Sequence, residues 1–373
     1  MNSAPRTRAP GWPYYVELML DAARRVGQCL WVRILYLSGA LWWAKRELNR
    51  EGAIVVLTLH RVLDDASFSK TDSLANIVVR KSSFGRLAGY VTSKYEAVDV
   101  QHALPGASSG RLRVAFTFDD GWQDNFENAL PLLKEYGISA TIFLCTGLMS
   151  RTAPFWPEQV RGTLYASLSA SYGKRADRLV EALIEGLKYG SAEARQSHLD
   201  LLLQQTNGQP TQFQDSDATL SWQQIVAMRR EGVAFGSHGH THQIMTSVAP
   251  DLAKAEARDS KTAIESALKE PCTTFAYPNG NWSPEIRDLL SEGGYRLAFT
   301  TDRGAWMPGT DKLAIPRCNV QEEDLTGLSG RFSTAMFDYA TFWKVWQNLR
   351  REQKLKAFQS RLVPAEAAAQ ELR

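Results

Sequence analysis

Two short segments of the chain carry side chains that are suited to binding a metal ion and activating water. The first places two adjacent carboxylates, Asp119 and Asp120, at the end of an apolar run. The second contains His238, His240 and His242, which are three of the six histidines in the chain. One carboxylate with two imidazoles forms zinc sites that keep an open position for water, and it also forms the iron sites of non-haem oxygenases. The two segments therefore indicate a metal site with open coordination positions.

The spacing within each segment predicts how the side chains divide their roles. Residues four apart lie on one face of a helical turn, so we expect His238 and His242 to point the same way, with His240 in a supporting position. Adjacent residues of a strand point to opposite sides, so we expect Asp119 and Asp120 to have different roles. Because two buried carboxylates are costly without a cation, a shared site is favoured over the alternatives, which are a solvated helix cap and surface histidines.

Strands and helices alternate through most of the chain, which is typical of an α/β protein with parallel strands. The predicted strands span residues 53–59, 113–118, 140–145, 233–236, 273–277 and 297–300, and the predicted helices span residues 125–136, 221–231, 249–268 and 283–293. Repetition over about 270 residues favours a closed or nearly closed barrel, in which catalytic groups follow the strand ends. The polar residues at about 151–219 predict a helical insertion, and residues 339–373 predict a helical tail.

The composition excludes several other classes of protein. Of the 373 residues, 44% are hydrophobic and 22% are charged, which excludes disordered and collagen-like chains. The formal net charge of +3 is too balanced for a dedicated nucleic-acid binder, so we expect no nucleic-acid partner. Cys29, Cys145, Cys272 and Cys318 are far apart in the sequence, and they predict neither a zinc motif nor an oxidising compartment.

Residues 1–50 differ in character from the rest of the chain. They contain eight lysines and arginines against three acidic residues, a net charge of +5, and four of the eleven tryptophans. Their longest apolar run, residues 34–44, is about half as long as a membrane-spanning helix requires. This basic, tryptophan-rich extension suits peripheral contact with a membrane, and a helix packed on the domain is the alternative. Because no cleavable secretory signal is evident, we expect a cytoplasmic protein, located at the inner membrane face if residues 1–50 bind lipid.

The two chemical segments also resemble the motifs of a known family. Residues 117–120 and 238–242 are similar to the first two motifs of the polysaccharide deacetylase, or NodB-homology, domain of the family-4 carbohydrate esterases, although Gly239 departs from the second motif. The resemblance covers about residues 52–322. It implies an α/β fold, a distorted (β/α) barrel of the NodB-homology type at residues 51–338, with a helical insertion and helical N- and C-terminal extensions.

The resemblance implies a role for each residue of these two motifs. Asp119 would be the catalytic base. Asp120, His238 and His242 would hold a divalent metal, with Zn²⁺ expected and Co²⁺ or Ni²⁺ as alternatives. A metal of this kind polarises a carbonyl group and helps to deprotonate water, which agrees with the chemistry of the side chains.

Other motifs depart from the family pattern. Ala276 stands where the family has an arginine that orients the base, so we predict that Arg317 supplies this charge. Asn279 stands where the family has a tyrosine whose backbone N–H stabilises an oxyanion, and a backbone donor survives the change of side chain. The Leu-x-x-His motif occurs at the first strand, as in the exopolysaccharide deacetylases. It makes His60 the predicted general acid, and a core histidine is the alternative.

These features predict a metal-dependent hydrolase that removes an N-acetyl group from an amino sugar in a polysaccharide or glycolipid. One alternative is a deformylase or deacylase of a lipid-linked sugar, which the basic aromatic N-terminus favours. Another is a glycan-binding module without turnover, which the altered third motif favours. Trp122, Phe155 and Trp156 are candidate surfaces for stacking on a sugar, and packing in the core is the alternative for them.

Overall fold

The computed structural model describes residues 12–71, 73–106, 110–150, 155–172, 175–190, 192–206, 217–355 and 358. Its strands are β1 (Ile54–Leu59), β2 (Arg61–Leu63), β3 (Val78–Arg80), β4 (Glu96–Ala97), β5 (Arg113–Phe118), β6 (Ala140–Leu144), β7 (Ala234–Ser237), β8 (Thr274–Ala276), β9 (Leu297–Arg303) and β10 (Ile315–Asn319).

The helices connect and surround these strands. They are α1 (Trp12–Leu37), α2 (Ala40–Arg50), α3 (Asp65–Phe68), α4 (Lys81–Lys94), α5 (Leu130–Glu135), α6 (Trp156–Tyr172), α7 (Arg175–Leu187), α8 (Ala192–Thr206), α9 (Trp222–Arg230), α10 (Pro250–Leu268), α11 (Pro284–Glu292), α12 (Glu322–Leu325) and α13 (Thr334–Asp338). Short 3₁₀ turns span Ala75–Ile77, Thr146–Leu148, Met245–Ser247 and Pro278–Gly280, and π-helical turns span Asn125–Ala129 and Tyr339–Trp343.

Seven parallel strands form a closed barrel. Their order is β1, β10, β9, β8, β7, β6 and β5, and β5 pairs with β1 to complete the circle. β1 and β5 are in register from Ile54 opposite Arg113 to Leu59 opposite Phe118. β4 extends the sheet beside β5, while β2 and β3 form a separate pair. The predicted α/β barrel is thereby confirmed, and a shift in register between β9 and β10 contributes to its distortion.

The barrel strands are buried on both faces, as their continuous apolar sequences predict. In β1, Ile54 and Val56 belong to a cluster formed with other strands and with Trp306, whereas Val55 and Leu57 pack with the surrounding helices. Trp306 also pairs through its backbone with Ile54, at the start of β1. Large side chains therefore fill the amino end of the barrel, and the carboxyl end is left for a functional cavity.

The predicted insertion between β6 and α9 contains the three helices α6, α7 and α8. These helices share a small apolar cluster of their own, which includes Val160, Val180 and Leu199. Residues 207–216, at the polar end of the predicted insertion, lie outside the described residues. The insertion thus has apolar contacts that are separate from the main core, and it packs beside the carboxyl end of the barrel.

Several elements differ from the sequence-based expectations. The predicted helix at 125–136 begins with a π-helical turn before it continues as α5. β10 was not among the predicted strands, because Pro316 interrupts its pattern and cannot donate a hydrogen bond to a neighbouring strand. β2, β3 and β4 contain only two or three residues each, which is too short for a detectable alternation of apolar side chains.

The N-terminal helices pack on the outside of the barrel, beside the C-terminal segment. α1 contacts α13, and α2 contacts the π-helical turn that follows α13. Gly39 has a φ of 77°, which allows the chain to turn sharply between α1 and α2. The other parts of the predicted terminal extensions, residues 1–11, 356–357 and 359–373, lie outside the described residues. Within the described part of the chain, none of the helices has the length and apolar character needed to cross a bilayer.

Candidate active site

A cavity of about 280 Å³ lies at the carboxyl ends of the barrel strands. Its lining includes His60, Asp119, Asp120, His238, His242 and Asn279, which are six of the seven predicted site residues. These residues follow β1, β5, β7 and β8, and parallel strands bring such positions to one edge of the sheet. The seventh residue, Arg317, lies in β10 and reaches the cavity through its contact with Asp119. The fold therefore brings all seven together.

Asp119 is a buried carboxylate that a buried arginine holds in place. Nη1 and Nη2 of Arg317 donate hydrogen bonds of 2.8 and 2.7 Å to the two carboxylate oxygens of Asp119. Nε of Arg317 donates to the carbonyl oxygen of Thr300 at 2.9 Å, which fixes the plane of the guanidinium group. Burial opposes ionisation of Asp119, but Arg317 outweighs it and holds the pKa of this carboxyl well below its usual value. Asp119 is therefore an oriented, ionised carboxylate.

The two adjacent aspartates face the same cavity and do not alternate as two residues within a strand would. β5 ends at Phe118, and Asp120 has a φ of 73°, in the left-handed region that non-glycine residues seldom adopt. This turn brings Oδ1 of Asp120 to 3.6 Å from Nε2 of His238, while Oδ2 of Asp119 lies 4.0 Å from the same nitrogen. Side chains alternate between the two faces of a sheet only within a strand, and β5 ends before Asp119.

The residues of the second motif form a loop, and the predicted helical turn is wrong. β7 ends at Ser237, and the following loop wraps around the carboxylate of Glu256 from α10. That carboxylate accepts hydrogen bonds from the backbone N–H groups of His240 and Thr241, at 2.7 and 2.8 Å. His242 then takes a φ of 61°, which directs its ring back towards the cavity. The shape of this loop is therefore set by a buried acid on a neighbouring helix. The four-residue spacing of His238 and His242 does not reflect a helical turn.

Asp120, His238 and His242 lie close enough together to share a divalent metal ion. Each offers a ligand atom, and these atoms lie within 4.8 Å of one another. Nδ1 of His238 lies 2.8 Å from the carbonyl oxygen of Ala276, which leaves Nε2 facing the cluster. Burial lowers the pKa of both histidines to about 4, so their imidazoles are neutral at physiological pH. The donor set fits a metal such as zinc.

Two residues contact this cluster in ways that were not predicted from the sequence. Sγ of Cys145 belongs to the same group of ligand atoms, and it donates a hydrogen bond to the carbonyl oxygen of His238 at 3.5 Å. Burial raises the pKa of the Cys145 thiol well above its ordinary value. Trp122 is buried, and its Nε1 donates to Oδ2 of Asp120 at 3.1 Å. Cys145 directly follows β6, which lies between β5 and β7, the strands that precede the aspartate and histidine motifs. This position was the sequence feature that could have indicated its place near the cluster.

His60 and Asn279 lie on other sides of the cavity. Nε2 of His60 is 4.0 Å from Oδ2 of Asp119, and its Nδ1 is buried without a hydrogen-bond partner among the described residues. Asn279 has a φ of 58°, and its side-chain oxygen accepts a hydrogen bond from Nζ of Lys188 at 2.7 Å. Because Lys188 directly follows α7, this bond connects the insertion to the barrel loop after β8.

A second buried arginine organises the side of the cavity next to the insertion. Nε of Arg61 donates to Asp124 at 2.9 Å, and its Nη1 donates to Asp217 at 2.8 Å and to Ser73 at 2.7 Å. Oγ of Ser73 donates in turn to Oε1 of Glu158, on α6, at 2.9 Å. Burial raises the pKa of Glu158 to about 7. This cluster, the Arg61 cluster, was not predicted, because its members are scattered among segments with no shared motif.

The predicted sugar-stacking residues divide between the core and the cavity. Trp122 and Phe155 both contribute to the cavity lining, and their ring centroids lie 4.7 Å apart. The guanidinium of Arg61 lies over the ring of Trp122, 4.2 Å from its centroid, so one face of this tryptophan is occupied. Trp156 is half-buried and lies beneath Arg195 instead. Phe155 is therefore the member of this set that is best placed at the cavity.

Sequence comparisons relate this chain to polysaccharide deacetylases, the family whose motifs resemble those of the site. The sequence model of a family described as polysaccharide deacetylase matches residues 107–298, which contain both acid and histidine motifs but neither His60 nor Arg317. YxkH of Bacillus subtilis, which carries the name of a polysaccharide deacetylase, is 23% identical over 217 residues. These residues make up 58% of this chain and 53% of YxkH, so the chain spans about half the length of that relative.

Similar solved structures are more distant in sequence. A protein from Bacillus anthracis that carries the name of a polysaccharide deacetylase is similar with a TM-score of 0.50 and 15% identity, covering 78% of this chain and 69% of that protein. IcaB from Ammonifex degensii is similar with a TM-score of 0.48 and 19% identity, covering 73% of this chain and 94% of that protein.

Proposed function

Because this chain belongs to the polysaccharide deacetylase family, we propose that it is a metal-dependent hydrolase that removes the N-acetyl group of an amino sugar in a polysaccharide or glycolipid. The observation that carries the proposal is the position of one ionised base beside a set of metal ligands. Asp119 is held by Arg317, and its carboxylate lies 4.0 Å from the ring of His238 in a single cavity. Hydrolysis of an amide requires this combination, since water must be deprotonated and a carbonyl polarised.

Asp120, His238 and His242 would hold the metal, and their donor atoms suit Zn²⁺, with Co²⁺ or Ni²⁺ as alternatives. When bound, a divalent metal supplies Lewis-acid chemistry, because it polarises a carbonyl group and lowers the pKa of water. Trp122 supports this ligand set by donating a hydrogen bond to Asp120. The backbone carbonyl of Ala276 supports it by holding the ring of His238 in one orientation.

Asp119 accepts the proton of the attacking water. Arg317 occupies both carboxylate oxygens with hydrogen bonds, so the carboxylate cannot rotate away from the cavity. The same arginine keeps Asp119 ionised in a buried position, where an unpaired acid would be protonated. Arg317 therefore supplies a positive charge where Ala276 provides none, and it reaches Asp119 from β10, which is separated from β5 by β1.

His60 protonates the leaving nitrogen. The oxygen of water forms a bond to the acetyl carbon, the carbon–nitrogen bond breaks, and the departing amine takes a proton from Nε2 of His60. The products are acetate and a free amino sugar. The backbone N–H of Asn279 is the proposed donor to the oxyanion that forms during attack, since Asn279 lines the cavity in a left-handed turn.

The test is acetate release from N-acetylhexosamine oligomers and lipid-linked amino sugars. The metal-free protein is supplied with Zn²⁺, Co²⁺ or Ni²⁺, and it is compared with Asp119→Asn and with Asp259→Asn, a partly exposed control on α10. Acetate release that requires the metal and Asp119, but not Asp259, supports the proposal. Release of formate from a formylated sugar would favour the deformylase instead. Binding of an oligosaccharide by the metal-loaded protein without any hydrolysis would contradict the enzyme and favour a glycan-binding module.

A further inference from the structure

The two N-terminal helices expose a large apolar surface, which we call the N-terminal face. Its members on α1 and α2 are Val16, Met19, Leu20, Val26, Leu30, Trp31, Ile34, Leu37 and Trp42. Leu30 and Ile34 are each 57% exposed, although leucine and isoleucine are usually buried. We propose that the N-terminal face docks the protein on an anionic membrane surface. This inference concerns a different part of the molecule from the proposed reaction and does not depend on it.

The apolar side chains of α1 form one continuous stripe. Met19, Val26, Leu30 and Leu37 are separated by seven, four and seven residues, which places them on the same side of a helix. The opposite side of α1 is already occupied, because Val32 and Leu35 are buried against the protein. The contacts of Val32 and Leu35 fix the orientation of α1 on the domain. They leave the apolar stripe on the opposite side exposed.

Basic side chains flank this stripe. At 100° per residue, Arg24 and Arg33 lie on opposite edges of the exposed apolar arc of α1, and both are exposed. Arg46 on α2 is also exposed, and its guanidinium lies 5.4 Å from the centroid of Trp42. Tryptophan beside arginine is suited to the boundary between lipid headgroups and acyl chains. The charge of the face complements an anionic lipid surface.

A groove beside the stripe offers a place for lipid headgroups. It has a volume of about 990 Å³, and its lining includes Tyr36, Leu37, Trp42, Arg46, Lys94 and Arg111. Asp338 also lines the groove, but it accepts hydrogen bonds from Lys45, Tyr90 and Tyr95, so its negative charge is compensated. Positive side chains next to exposed apolar ones match the phosphate and the acyl chain of a lipid.

The arrangement favours a lipid surface over the other possible occupants. A second copy of the chain docked through the same face would bring the basic side chains Arg24, Arg33 and Arg46 of both copies into one interface, and like charges oppose such a contact. A spanning helix is also disfavoured, because Val32 and Leu35 tie one side of α1 to the domain. An amphipathic helix that is held in this way lies along the membrane surface with its apolar side in the headgroup region.

The position of the stripe relates the membrane to the cavity. Nη2 of Arg25, on α1, donates to the carbonyl oxygens of Glu323 and Thr326, which follow the carboxyl end of β10. At the other end of α1, Tyr36 and Leu37 share the groove with Arg111, which precedes β5. α1 therefore runs along the side of the barrel from the catalytic edge towards the opposite edge. A membrane against α1 would lie beside the mouth of the cavity.

The experiment is co-sedimentation of the full chain with vesicles, which needs neither metal nor substrate. Vesicles of phosphatidylglycerol and phosphatidylcholine in equal amounts are compared with vesicles of pure phosphatidylcholine. We expect binding to the anionic vesicles, and the double substitution Leu30→Glu with Ile34→Glu should weaken it by more than about tenfold. Leu252→Glu, at an exposed leucine of α10, is the matched control and should bind as the unmodified chain does.

The charge component is tested separately with Arg33→Glu and Arg46→Glu. Each substitution should weaken binding to the anionic vesicles by at least about fivefold. Light scattering of every variant reports the oligomeric state, and circular dichroism reports the fold. The proposal is overturned if the unmodified chain does not sediment with anionic vesicles. It is also overturned if Leu30→Glu with Ile34→Glu leaves vesicle binding unchanged and instead converts a dimer into a monomer, since a second copy would then be the occupant.

Discussion

Arg317 and Arg61 are both completely buried at the carboxyl end of the barrel, but they are used differently. Arg317 gives two hydrogen bonds to one carboxylate, Asp119, which still lies within 4.0 Å of His60 and His238. Arg61 divides its hydrogen bonds between Asp124 and Asp217, which come from different segments of the chain. The first arrangement leaves an ionised carboxylate facing the cavity, while the second connects separate segments of the chain.

The difference shows what a buried ion pair needs before it can take part in chemistry. Both arginines require acidic partners, because an unpaired buried charge is strongly destabilising. Only Asp119 also lies next to a set of candidate metal ligands. In the Arg61 cluster the carboxylates of Asp124 and Asp217 have no such neighbours among the described residues, and the cluster instead contacts the insertion through Ser73 and Glu158. Burial and charge alone therefore do not distinguish a catalytic pair from a structural one.

The largest effect is expected at the metal ligands. His238→Ala removes one of the three expected ligands, so the variant should lose its metal and its turnover should fall to background. Metal content measured by elemental analysis and acetate release measured on the same sample check this expectation. His198→Ala, at an exposed histidine of α8, is the control and should retain both. Full metal content in His238→Ala would show that His238 is not a ligand.

Asp119→Asn should separate chemistry from metal binding. The amide cannot accept a proton, so turnover should fall by about 10²–10⁴-fold, while the ligand set is unchanged and the metal remains bound. The comparison requires steady-state kinetics and elemental analysis of the purified variant. If Asp119→Asn and His238→Ala lost the same amount of metal, the division between base and ligands would be incorrect.

Arg61→Met should reduce stability and leave the ligand set intact. It leaves two buried carboxylates, Asp124 and Asp217, without their cation, so the free energy of unfolding should fall by about 3–5 kcal/mol. Denaturant titration measures this change, and metal content should stay the same. Arg229→Met removes an exposed pair with Glu270, so it should cost at most about 1 kcal/mol. Equal losses in the two variants would mean that the Arg61 cluster does not hold the structure together.

The smallest effect is a pH dependence that comes from Glu158. Burial raises its pKa to about 7 in the folded protein, from an ordinary value near 4.5. Its contribution to stability is therefore fully present below pH 4.5 and is lost as the pH rises through about 7. Relative to Glu158→Gln, the unmodified chain should lose about 2 kcal/mol of stability between pH 5 and pH 8.

Denaturant titration at the two pH values checks the Glu158 expectation. Glu181→Gln, on the exposed side of α7, is the matched control and should follow the pH dependence of the unmodified chain. If Glu158→Gln and the unmodified chain changed in parallel between the two pH values, Glu158 would not titrate in this range.

The sequence was sufficient for the parts of the site that follow long apolar strands. β5 begins and ends at the predicted residues, because the five positions after Arg113 are continuously apolar or β-branched and Asp119 ends this run. Arg317 was placed beside Asp119 only through the missing arginine at Ala276. The contact itself depends on the order of strands around the barrel, which local sequence does not specify.

Other features depend on contacts between distant segments, and the sequence did not reveal them. The loop from His238 to His242 takes its shape from Glu256, which lies on a different element. The Arg61 cluster combines residues from β2, the segment after β5 and both sides of the insertion. Periodicity reports which face of an element is buried, but it does not report which buried polar groups meet.

The closure of the barrel has a consequence for folding kinetics. β1 and β10 are neighbours, with Leu57 opposite Cys318, although they are near opposite ends of the domain. The hydrogen bonds between Arg317 and Asp119 accordingly span 198 positions of the chain. Contacts of such high order form late, because a long loop must be ordered first. A chain whose synthesis has stopped before β10 has Asp119 without its arginine, so the proposed base acquires its partner only when the last strand docks.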